Sequence, residues 1–164
     1  MRISFDKNDI SLRNKGLLPC DWSINDGVRD EICKLGKISI QVTDLDTDRW
    51  PACCDRNTNN ILIAKDFIED SKYTRCEVLA VILHEVGHLV RKSRSTGMAV
   101  YIDVLEDQDD EGIGEEKAAD SFVKEAGYGN VLSDCLSKLK TDDRCEMNPC
   151  HLAERLKALS PSPN

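Results

Sequence analysis

The segment AVILHEVGHLV, Ala80 to Val90, carries two of the three histidines in the chain. Around it Val78, Leu79, Ile82, Leu83, Val86, Leu89 and Val90 recur at steps of three and four, the period of an α-helix with a buried face. The spacing predicts a helix over residues 74–92. Residues four apart on a helix share a face, so His84 and His88 project side by side. Their imidazoles can then reach one tetrahedral ion at about 2.0–2.1 Å. Glu85 lies one step round from His84. It is badly placed as a ligand and well placed to act as a general base on a water held by the same ion. Shuffling this composition yields the five-residue pattern in about one chain in four hundred. Burying two histidines and a carboxylate without an ion would also demand several compensating partners. The reading is a metal site, with Zn2+ as the cofactor, one per chain.

The bulk numbers narrow the classes around that site. A chain of 164 residues suits a single domain with one core. Hydrophobic residues make up 40% and charged residues 32%, a globular rather than a disordered mixture. A formal net charge of −8 argues against nucleic acid or an anionic membrane as the main partner, since both select a basic face. The most apolar stretch, Val78 to Val90, is interrupted by His84, Glu85 and His88, so no membrane span is expected. The opening residues hold no apolar run of signal-peptide length. The 8 cysteines include no Cys-x-x-Cys pair. They read as reduced thiols, and the expected location is cytoplasmic. Oligomeric state leaves no mark in the sequence.

Along the chain, residues 1–20 read as an N-terminal extension, irregular or with a short strand. WSINDGVRDEICKLG is an amphipathic helix capped by Ser23 or Asn25 and ended by Gly36. KISIQVTDL and NILIAK are strands, and DTDRWPACCDRNTN between them is a polar turn region. Helices follow at EEKAADSFVKEAG, NVLSDCLSKLK and HLAERLKAL, with residues 160–164 a frayed tail. The expected fold class is α+β: a small antiparallel sheet packed on the histidine helix, with further C-terminal helices. The acidic run DQDDEG starts like a calcium loop but lacks the closing glutamate, so it reads as a loose acidic loop. Cys145, Cys150 and His151 lack a fourth metal partner and read as ordinary side chains.

A catalytic ion needs a third protein ligand. EEKAAD offers Glu115 and Glu116. Glu116 and Asp120 are four apart, so Glu116 can bind the ion while Asp120 accepts a hydrogen bond from a ligand histidine. Ala119 between them is small and allows two helices to approach. The same residues also suit a solvated acidic face, and the residues alone leave the choice open.

HEVGH followed by EKAADSF resembles the gluzincin pattern of zinc peptidases. The likeness is greatest to the minigluzincins and to the soluble catalytic core of HtpX-type and CAAX prenyl-type proteases. It runs loosely on through EAGYGNVLSDCLSKLK and NPCHLAERLKAL, over roughly Asn60 to Leu159. The resemblance implies a zincin-like metallopeptidase domain and zinc-dependent hydrolysis of peptide bonds. It makes His84, His88 and Glu116 the metal ligands, Glu85 the base, and Asp120 the partner of a ligand histidine. It further implies an oxyanion donor beyond the third ligand. NPCHLAERL supplies His151 and Arg155 for that role, with Tyr101 and Tyr128 as alternatives. Asn148 departs from the family, which carries a histidine there, and the family's transmembrane helices are missing.

The expected partner is a peptide or protein substrate. It is expected to add as a strand along Asn60, Ile61, Leu62, Ile63 and Ala64, taken as the sheet edge before the zinc helix. Two other readings share the motif. One is a non-catalytic protein-binding regulator on the same fold, which would have no need of Glu85. The other is an ImmA/IrrE-like regulatory peptidase, which usually carries Asn where Asp120 stands.

Overall fold

The computed structural model describes residues 2–5, 10–17, 22–44, 50–92, 110–145 and 147–160. Tyr101, the acidic run ahead of Asp110 and the tail beyond Ser160 lie outside them. In chain order the elements are β1 (Arg2–Phe5), α1 (Ile10–Asn14), α2 (Asp26–Lys34), β2 (Lys37–Thr43), β3 (Ala52–Asp55), β4 (Asn60–Ala64), α3 (Lys65–Glu69), α4 (Arg75–Lys92), α5 (Asp110–Glu125), α6 (Gly129–Leu139) and α7 (Pro149–Leu159). The class is α+β, with a four-stranded sheet in the order β1-β2-β4-β3. No described helix is long and apolar enough to cross a membrane.

The sheet corrects two expectations. It is mixed, not antiparallel: β1 pairs β2 and β2 pairs β4 in parallel, and only β3 and β4 run antiparallel. A parallel pair needs a long crossover, which the connection from β2 through β3 to β4 provides. The sequence reading missed β3 because ACCD beside Pro51 has little strand character. It is a strand through pairing, with Cys53 opposite Leu62 and Cys54 opposite Ile61. The second correction follows directly. Asn60, Ile61, Leu62, Ile63 and Ala64 are not a sheet edge, because β4 is bonded to β2 on one side and to β3 on the other. Among the described strands, Ala52–Asp55 is the outermost on this side. The β3–β4 turn is closed by Asp55, which accepts bonds from the Asn57 N–H and the Thr58 hydroxyl at 2.8 Å each.

Ile38 and Ile40 of β2 and Ile61 and Ile63 of β4 are fully buried and pack in one core with α4. That helix is deeper than its stripe predicts: every residue from Glu77 to Val90 is buried. Its start is a capping box. The Thr74 N–H donates to Glu77 Oε2 at 2.7 Å, and the Glu77 N–H donates back to the Thr74 hydroxyl at 3.3 Å. Lys138 of α6 completes the pairing of Glu77 at 2.7 Å.

Three local features set the site helices. Asn25 caps α2, accepting from the Val28 N–H at 2.9 Å, and it also donates to the Glu125 carbonyl at the end of α5. Gly127 ends α5 at φ +89°, with the Tyr128 N–H bonded to the Val123 carbonyl, a turn that a side chain would strain. Asn148 caps α7, accepting from the Cys150 N–H at 2.8 Å, with Pro149 in the first turn. The residue that departs from the gluzincin pattern thus has a structural task here.

Candidate metal centre

Helices α4 and α5 touch at the level of their backbones. A Cβ added to Gly87 would lie 3.0 Å from both Cα and O of Ala119, and 3.2 Å from Cβ of Phe122. Glycine is required at this crossing because nothing larger fits without moving α5. His84 and His88 flank Gly87 on one helix, and Glu116 and Asp120 flank Ala119 on the other. The close approach therefore brings all four together. The sequence named Ala119 as the residue permitting approach; the facing Gly87 is the half it missed.

His84 Nε2 lies 3.1 Å from His88 Nε2 and 3.1 Å from Glu116 Oε2, and His88 Nε2 lies 3.1 Å from Glu116 Oε1. The two ring nitrogens and the two carboxylate oxygens thus converge, and one ligand atom from each of the three residues lies within 4.8 Å of the others. Among the described residues, His84, His88 and Glu116 are the group able to hold a metal ion. Two imidazole nitrogens and one carboxylate are a donor set that suits a metal ion. Of the two adjacent glutamates, Glu116, the one expected as a ligand, joins the histidines. Glu115 turns aside and pairs with Arg56.

The outer contacts are well defined around His84. Its Nδ1 stands 2.9 Å from Asp120 Oδ1, and Asp120 is only 1% exposed. In the neutral ring that acceptor would fix the Nδ1–H tautomer, with Nε2 facing Glu116. Burial and the Arg155 cation oppose a charge on His84, but Glu116 and Asp120 outweigh them and push its pKa up to about 9. Burial works against the Glu116 anion too, and the neighbouring histidines and Arg155 nevertheless hold it well below the carboxylate range. Binding of a metal ion here would compete with a proton on His84.

Arg155 was expected as an oxyanion donor or as a surface pair. It is buried, and its guanidinium meets Asp120 through Nε and Nη2 at 2.8 Å each and Glu116 through Nη1 at 2.7 Å. His151 is in the first turn of α7 and half-buried. Among the described contacts, none joins its side chain to the donor group. Tyr128 packs against the core. The sequence reading missed Arg56 and Cys54. Arg56 Nη2 lies 3.2 Å from His88 Nδ1, while Cys54 is bonded to Glu85. Burial, then the charge of Glu85, pushes the Cys54 thiol well above its ordinary range, so it stays protonated beside that carboxylate. Both residues are on or next to β3, the strand that was read as a turn. Glu85 itself is 8% exposed.

No family model matches the chain, and no curated protein or solved structure matches it either. The chemistry of the site rests on its own geometry.

Proposed function

We propose that this chain is a zinc metallopeptidase with a zincin-like fold, of the gluzincin type. The observation that carries the reading is the triangle of His84 Nε2, His88 Nε2 and the Glu116 carboxylate at 3.1 Å, with Glu85 next to His84 in the same helix. The intact carboxylate at Glu85 favours catalysis over a binding role, which would not need a base.

A zinc ion held by His84, His88 and Glu116 would supply Lewis acidity for attack of water on the scissile carbonyl. His84 and His88 present Nε2 as neutral donors, and Asp120 keeps His84 in the tautomer that permits it. Glu116 supplies the anionic donor. Glu85 takes the proton of the attacking water and returns it to the leaving amine nitrogen. The Cys54 thiol, bonded to Glu85, locates the base against β3. A substrate strand does not fit along Asn60–Ala64, which is paired on both sides.

The free thiols of the seven described cysteines suit a reducing, cytoplasmic setting. The test of the activity is Glu85→Gln. This variant should bind one zinc per chain as the parent does and lose hydrolysis of a mixed peptide library by at least about a hundredfold. Cleavage at the parental rate would remove Glu85 from the mechanism. A parent that takes up no zinc on titration would remove the metal reading altogether.

A further inference from the structure

Arg155 is the one buried cation among the described residues that meets the donor group, and it comes from a third helix. Its fork on Asp120 uses both carboxylate oxygens, Oδ2 through Nε and Oδ1 through Nη2, each at 2.8 Å. The same Oδ1 is the atom that faces His84 Nδ1 at 2.9 Å. Its Nη1 bonds Glu116 Oε2 at 2.7 Å. One rigid, planar guanidinium thus touches the group that orients the first histidine and the carboxylate that supplies the third donor.

We propose that Arg155 is a positioning residue of the metal centre: it holds Glu116 and, through Asp120, His84 in the arrangement that accepts the ion. The inference rests on the zinc reading above and adds to it a requirement for α7. The physical case is electrostatic. Glu116 and Asp120 are stacked one turn apart, with Glu85 also within electrostatic reach of Arg155. Like charges so close would splay without a cation between them. With its donors committed to Asp120 and Glu116, Arg155 acts through these residues rather than on a substrate.

The test is zinc affinity, by competition with a chromophoric chelator, and the visible spectrum of the cobalt(II)-loaded protein, for the parent and Arg155→Met. The expected result is a parent that binds tightly and a variant bound about 10–100-fold more weakly, as for other groups that orient ligands. Its cobalt spectrum should also change as the donors lose their arrangement. Should Arg155→Met fail to fold, Arg155→Lys is measured instead. It keeps the buried charge but cannot span Asp120 and Glu116, so the same loss is expected. A folded variant with zinc affinity within threefold of the parent and an unchanged cobalt spectrum overturns the positioning role while leaving the metal reading intact. A parent that binds neither zinc nor cobalt overturns both.

Discussion

Nδ1 of His84 and Oδ1 of Asp120 are 2.9 Å apart, within a pocket where neither side chain is more than 7% exposed. At that burial the pair sets the histidine's tautomer, because no water competes for Nδ1. The carboxylate has two tasks, since its oxygens also receive Arg155. An amide at this position has one acceptor oxygen and turns an N–H towards a donor. Asp120→Asn should therefore keep the fold and bind zinc about 10–100-fold more weakly, as read by chelator competition. Parental affinity in the folded variant would mean that the pair does not orient the ligand.

The neighbouring glutamates should separate cleanly. One residue along a helix turns a side chain by about 100°. Glu116 faces both histidines, while Glu115 faces Arg56. Glu116→Ala should lose stoichiometric zinc binding, and Glu115→Ala should keep it. Isothermal titration of both variants decides the matter, and equal affinities would show the wrong glutamate has been chosen.

Gly87 offers a test that touches no ligand. Its added Cβ would meet backbone atoms of Ala119 at 3.0 Å, and backbone cannot rotate away as a flexible side chain can. Gly87→Ala should lower stability by about 1–3 kcal/mol, the usual cost of overpacking, even though alanine favours helix. It should also weaken zinc binding by pushing α5 outwards. Urea unfolding and zinc titration report the two effects. A variant as stable as the parent, with equal affinity, would place the helix contact elsewhere.

Acid sensitivity should centre on a second, purely structural cluster. Arg144 bonds both oxygens of Asp142 at 2.8 Å and lies over the Trp50 ring at 4.5 Å from its centroid. Its bonds hold the Asp142 carboxyl far below the usual range, and the Tyr73 hydroxyl also donates to it. A carboxyl whose folded pKa is depressed stabilises the fold fully above its unfolded value of about 3.9, and the contribution fades as pH falls below that value. Urea midpoints measured from pH 7 down to pH 3 should fall more steeply for the parent than for Asp142→Asn. Parallel curves would show that this carboxylate adds nothing to the acid response.

What the sequence made legible follows the range of the interactions involved. His84, Glu85, His88, Glu116 and Asp120 could be placed because each pair is one turn apart on a helix, a local relation that spacing records. The pairing of β3 could not, because ACCD becomes a strand only when β4 lies beside it. The mixed order of the sheet is hidden for the same reason. Arg155 was singled out by its place in the C-terminal helix, yet its partners lie 35 and 71 residues earlier in the chain, and no local pattern tells a buried fork from a surface pair. Arg56 and Cys54 gave no signal at all, since their relation to His88 and Glu85 exists only once β3 is seated against α4.

The fork between Arg155 and Asp120 also gives the molecule an order of assembly. During synthesis both histidines, Glu85 and Glu116 leave the ribosome well before α7 does. Until that last helix docks, its guanidinium is absent and the stacked carboxylates of α5 repel one another. A nascent chain therefore holds every donor atom and yet lacks the finished arrangement. On the proposed reading, the donors reach their finished arrangement only once α7 has docked.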